Sequence, residues 1–133
     1  MFKLFTPFLA PPLVAPYIDV ASILNDDYLV RINKATGLKA VTLAFALADN
    51  GNCVPTWGGV SHQGSNEHGL SNNIIMNAIK NFQYIGGSVI LATGGAMGPY
   101  LESACTSPES LARAWKQTLD YVGTDYLDID IGN

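Results

Sequence analysis

The sequence predicts an α/β domain built on a parallel sheet, and three observations carry that expectation. Short segments rich in β-branched and aromatic residues alternate with segments of helical periodicity. Two of the former are nearly continuous apolar runs, the pattern of parallel strands covered on both faces. Each helical pattern stops at a glycine, as a helix C-terminus should. The 133 residues are 48% hydrophobic and 14% charged, against roughly 25% charged in an average soluble domain. That is enough for one real core and excludes disorder. Seven Lys+Arg against eleven Asp+Glu leave a net charge of −4 with no basic cluster. Nucleic acid and anionic membrane surfaces are therefore not expected partners, and a neutral or polar ligand fits better. No apolar run reaches the roughly 18 residues of a spanning helix.

Residues 1–13 read as an N-terminal extension ahead of a domain at 14–133. Lys3, an apolar stretch and Ala15 faintly resemble a secretion signal, but Pro7, Pro11 and Pro12 would break its helical core, and cleavage after Ala15 would cut into the first strand. That strand is expected at 14–20 (VAPYIDV), the second at 40–47 (AVTLAFAL), the third at 88–93 (SVILAT) and the fourth at 126–131 (YLDIDI). Between the first two, Leu24, Tyr28 and Ile32 recur at helical spacing and stop at Gly37. Ile75, Ala78, Ile79 and Phe82 make the next helix, ended by Gly86 and Gly87. The third is the best marked, with Ser107 as N-cap, Pro108 at the first helical position and Glu109 at the positive end. Leu111, Trp115, Thr118 and Val122 give it one packing stripe before Gly123.

The order β-α-β-α-β-α-β implies right-handed crossovers between parallel strands. Either a doubly wound open sheet or part of a (β/α) barrel satisfies it. A complete barrel takes about 250 residues, so a barrel here would be half of one, about four strands. Its first and fourth strands would then be exposed edges and favour self-association.

The densest chemical signal is Asp125, Asp128 and Asp130 at the fourth strand. Residues two apart on a strand share a face, so Asp128 and Asp130 point one way and Leu127, Ile129 and Ile131 the other. Paired carboxyl groups inside a sheet are an arrangement that acid/base sites exploit. The alternative, a wet edge where acids suppress aggregation, would favour Lys and needs no apolar counterface. Trp57 follows the second strand on the face where barrel sites gather, with sugar stacking and simple packing both open. Cys53 and Cys105 follow neighbouring strands on one face, close enough for the roughly 4.4–6.8 Å Cα separation of a disulfide if the protein is secreted; two separate buried thiols are the alternative. The glycines at 93–98 lack a following Lys-Ser/Thr, so close backbone approach to a sugar or a neighbouring strand outweighs a phosphate loop. His62, Glu67 and His68 fall in a Gly/Ser/Asn-rich loop without metal-ligand spacing, and no metal is expected.

These acids match the first three of the Asp-x-x-Asp-x-Asp-x-Glu signature of glycoside hydrolase family 18, the chitinase-like family, which the chain resembles. Gly132 stands where that signature has its catalytic Glu. APYID at 15–19 resembles the family's first strand, LAFAL at 43–47 its second, CVPTWGG at 53–59 the loop after it, and ATGG at 92–95, loosely, its Ser-x-Gly-Gly element. The resemblance runs over residues 14–131 and implies the N-terminal half of a catalytic (β/α)8 barrel, truncated and extracellular. It implies chitin or N-acetylglucosamine oligosaccharides as partner, no cofactor, and substrate-assisted hydrolysis in which the ligand's acetamido group attacks the anomeric carbon. Asp130 would orient that group, with Asp128 and Asp125 in support and Tyr17, Trp57, Gly94 and Gly95 lining the ligand. Without a general acid, whose loss typically costs about 10² to 10⁴-fold in rate, the chain is expected to be inactive. A chito-oligosaccharide binding module and a nucleotide-binding doubly wound domain remain the alternatives.

Overall fold

The computed structural model describes residues 2–3, 14–49, 52–57, 73–95 and 100–131. Chain order is β1 (Phe2–Lys3), β2 (Tyr17–Asp19), α1 (Tyr28–Thr36), β3 (Ala40–Asp49), β4 (Asn52–Trp57), α2 (Asn73–Tyr84), β5 (Ser88–Gly95), α3 (Leu101–Ala104), α4 (Pro108–Val122) and β6 (Tyr126–Ile131). One sheet runs β1-β6-β5-β3-β2, with β4 paired to β3 beside that path.

The four expected strands are β2, β3, β5 and β6, and every contact between them is parallel. Each lies beside its predecessor in sequence, so all crossovers advance in one direction. A doubly wound sheet would reverse direction at a switch point and carry helices on both faces. Here the helices share one face. Val41, Leu43, Val89, Leu91 and Leu127 pack there against Leu29 of α1, Ile75, Ile79 and Phe82 of α2, and Leu119 and Val122 of α4. The four parallel strands lie side by side in sequence order, with these helices on one face.

The helices form where periodicity and capping agree. In α4 the Ser107 side chain accepts from the Ser110 N–H at 3.1 Å, and the Ser110 hydroxyl accepts from the Ser107 N–H at 3.2 Å, a reciprocal cap. Gln83 at the end of α2 donates to the Val122 and Gly123 carbonyls at 3.2 and 3.3 Å, tying two helix ends together. Gly87 is required by contact: a Cβ there would lie 2.5 Å from the Phe82 ring.

Several expectations change. The first strand is Tyr17–Asp19, shorter than 14–20: Pro16 has no N–H to give to a ladder, and the carbonyls before the strand go to Thr42, whose N–H donates to Pro16 O at 2.8 Å and whose hydroxyl donates to Ala15 O at 2.7 Å. Leu24 lies ahead of α1 and is 71% exposed. The loop expected after the second strand begins as β4, which pairs antiparallel with Ala46–Asp49 and takes over the edge of β3 that β2 leaves at Ala44. The edge of the fourth strand is not fully open, because Phe2–Lys3, inside the expected extension, pairs antiparallel with Leu127 and Tyr126.

A second, smaller cluster sits beyond the main core. Ala48, Leu101 and Ala114 are buried there with Leu111, Ala104 and Trp115 against them. Cys53 of β4 and Cys105, between α3 and α4, close it with a disulfide at a Cα separation of 4.6 Å.

Candidate functional site

The face of the sheet away from the helices is lined by the alternate residues of the same strands. The register sets Tyr17 beside Thr42 and Ile90, and places Asp19, Ala44, Ala92 and Asp128 in one row across all four parallel strands. Gly94 pairs with Asp130 and Gly95 with Ile131, so the second acid comes one pleat further toward the C-terminal ends of the strands. Thr42, Ala44, Ala92 and Gly94 on this face are small and buried, and Ile90 stands beside Thr42.

Tyr17 and Asp128 fix the shape. The Tyr17 hydroxyl donates to Asp128 Oδ2, although β2 and β6 are separated by β3 and β5. In a flat sheet three strand spacings span about 14 Å, and side chains stand roughly perpendicular to the sheet, so the two groups could not meet. The hydrogen bond requires a sheet curled toward this side, as in a barrel wall.

Phe45 completes the group, and the sequence reading missed it. It lies inside the second strand's apolar run, which reads as uniformly buried. In the structure the pairing of β3 with β5 shifts between Ala44 and Ala46, so Phe45 is an extra residue in the ladder. The Ala44–Phe45 peptide bond is cis. Phe45 is half-buried, and its ring meets that of Tyr17 at a centroid distance of 6.1 Å and 60° between planes. Two aromatic rings and a half-buried carboxyl group thus stand together on the concave face. Such a surface suits a ligand with apolar faces and hydrogen-bonding edges.

The other expected residues separate. Asp125 precedes β6 at its opposite end, about 10 Å from Asp128 at roughly 3.3 Å per residue, so it is not brought to the mouth with Asp130. Trp57 ends β4 and is 3% exposed within the main core, where its ring packs and presents no face to a solvent-side sugar. Asp19 accepts from the Ala21 N–H at 2.9 Å and caps the short 3-10 turn that follows it. The glycines expected to line the ligand belong to β5, and Gly94 has φ +104°, a conformation that side-chain-bearing residues rarely adopt. Gly132, His62, Glu67 and His68 lie outside the described residues. Among the described residues no three His, Cys, Asp or Glu side chains are grouped to hold a metal, and no helix is long and apolar enough to cross a membrane.

No protein-family model matches the chain, and no curated protein matches it. Solved structures do. The catalytic domain of a hyperthermophilic chitinase from Pyrococcus furiosus is 36% identical over 88% of this chain, with a TM-score of 0.71. Catalytic-site mutants of active domain 2 of a thermostable chitinase from the same organism, complexed with chito-oligosaccharides, give the same identity, coverage and TM-score. The chain is chitinase-like. A putative chitinase A from Streptomyces coelicolor, 18% identical with a TM-score of 0.54, shares the fold. The chitinase-like chain spans 36% of the length of each Pyrococcus chain.

Proposed function

We propose that this chitinase-like chain contributes the first wall of a chito-oligosaccharide site, with Tyr17, Phe45, Asp128 and Asp130 as its ligand-facing groups. The observation that carries the reading is the Tyr17–Asp128 hydrogen bond across the curled sheet, which sets an aromatic pair beside a carboxyl group where a barrel holds its ligand. The aromatic rings offer apolar faces to a sugar ring, and the carboxyl groups accept from its hydroxyl or acetamido N–H. In the substrate-assisted reaction of family 18, Asp130 orients the acetamido group and Asp128, held by Tyr17, supports it. Gly132 has no proton to donate to a departing glycosidic oxygen, so the chain binds without hydrolysing. The disulfide fits an oxidising, extracellular setting.

Isothermal titration with N-acetylglucosamine oligomers, and separately with nucleotides, tests the binding. Saturable heat with the oligomers, weakened in Asp128→Ala, is the expected result; binding of nucleotides alone would replace this reading with the doubly wound one. A fluorogenic chitobiose substrate tests the chemistry. No turnover is expected from the chain or from Gly132→Glu, because holding reactants in geometry is worth roughly 7–11 kcal/mol of barrier, more than a restored general acid alone contributes. Turnover by the unsubstituted chain would overturn the inactive reading.

A further inference from the structure

We propose that the Cys53–Cys105 disulfide is a redox latch: when a dithiol reduces it, α3 and the tip of β4 open as one local unit while the parallel sheet and its main core stay folded. The proposal does not depend on the carbohydrate reading. β4 follows β3 and α3 follows β5, and β3 and β5 are paired neighbours in the sheet. The disulfide therefore joins two connections at the same end of the sheet, the C-terminal end of its parallel strands. Little else holds them together. The cluster between them buries Ala48, Leu101 and Ala114, of which Leu101 alone has a large side chain, and the residues packed around it are partly exposed. The main core contains Leu29, Leu43, Ile79, Phe82, Leu91 and Leu119 and includes no residue of α3.

Each neighbouring element shows where such an opening stops. α3 is a single turn of four residues, and a helix that short does not persist on its own local bonds. β4 divides in two. Its inner half is anchored, with Trp57 in the main core and the buried Thr56 donating its hydroxyl to the Leu47 carbonyl at 3.2 Å. In its outer half Asn52 is exposed and Cys53 and Val54 are half-buried, and the pairing with β3 shifts register between Ala48 and Asp49. α4 keeps its own start through the Ser107–Ser110 cap, and its Leu119 and Val122 belong to the main core. Cys53 and Cys105 are half-buried, and they are the two cysteines of the chain. In reduction one thiolate of the dithiol attacks a sulfur of the pair, the other cysteine leaves and takes up a proton, and the second thiol of the reagent then displaces the first cysteine. Two electrons and two protons pass to the cysteines, and the dithiol ends as a disulfide. With no third cysteine, reoxidation within the chain can re-form this pair alone.

Hydrogen–deuterium exchange read by mass spectrometry tests this on the full chain in three states: oxidised, reduced with dithiothreitol, and reoxidised with oxidised glutathione. A full-length chain carrying both Cys53→Ser and Cys105→Ser is measured beside them without reductant. Reduction is expected to speed exchange at Ser103, Ala104 and Cys105, whose N–H groups donate to the Tyr100 and Leu101 carbonyls, by at least about ten-fold. Over residues 41–43 of β3 and 89–91 of β5 the change should stay below about three-fold. Reoxidation should restore the protection, and the double-serine variant should match the reduced chain. If that variant fails to fold, the reduced and reoxidised states of the unsubstituted chain decide. Unchanged exchange at α3 once thiol titration shows two free thiols, loss of protection throughout β3 and β5, protection that reoxidation does not restore, or a folded variant as protected at α3 as the oxidised chain would each overturn the proposal.

Discussion

The two faces of the parallel sheet are made by the same four strands and serve opposite ends. Toward the helices stand Val41, Leu43, Val89, Leu91 and Leu127, all at most 2% exposed and locked against α1, α2 and α4. Toward the concave side stand Thr42, Ala44, Ala92, Gly94 and Asp128, with Tyr17 and Phe45 above them. Large aliphatic residues on one face generate the burial that holds the domain together. The other face carries small residues that are themselves buried, with Ile90 among them, and a half-buried Asp128 that accepts from Tyr17. The two sets of side chains are separated by a single residue's step along each strand.

That separation can be broken from the stability side first. Removing the disulfide with Cys53→Ser and Cys105→Ser opens a loop of 52 residues in sequence separation, for which chain entropy gives a loss of about 4 kcal/mol. Urea unfolding should show that loss, with oligomer affinity at 25 °C retained while the variant remains folded. Leu91→Ala, at a residue 1% exposed on the helix face, should destabilise by about 3 kcal/mol through lost burial and the cavity left behind; its neighbour Ala92 faces the other way and is the control, Ala92→Gly costing about 1 kcal/mol. Gly94→Ala forces a side chain onto a φ of +104°, and thermal denaturation should register a loss of roughly 1–3 kcal/mol, accompanied by weaker oligomer binding because Asp130 is its partner in the ladder.

The smallest stability effect belongs to the concave face and sharpens the comparison most. Tyr17→Phe removes the hydroxyl that Asp128 accepts from but keeps the ring against Phe45. Tyr17 is 50% exposed, so unfolding should change by less than about 1 kcal/mol. Calorimetric affinity for the oligomers should nevertheless fall about five- to ten-fold, equivalent to roughly 1 kcal/mol. A large stability loss with unchanged affinity would show that this hydrogen bond is structural and would move the site elsewhere.

Much of this was legible in the sequence because the signals are local. The apolar runs of β3 and β5, the Ser107 and Pro108 start of α4 and the glycines after α1, α2 and α4 act over a few residues, and alternation along β6 separated Asp128 from the buried Leu127. The acid spacing also pointed to the family whose solved members the chain resembles. What the sequence did not reveal depends on contacts between segments far apart in the chain. The burial of Trp57 follows from β4 folding back on β3, and no rule of spacing tells a packed tryptophan from a stacking one. Phe45 reaches the site only because the ladder slips beside it. The curl of the sheet shows only through a hydrogen bond between residues 111 positions apart. Periodicity fixes which way a side chain points from its own strand; only the tertiary structure decides what it then meets.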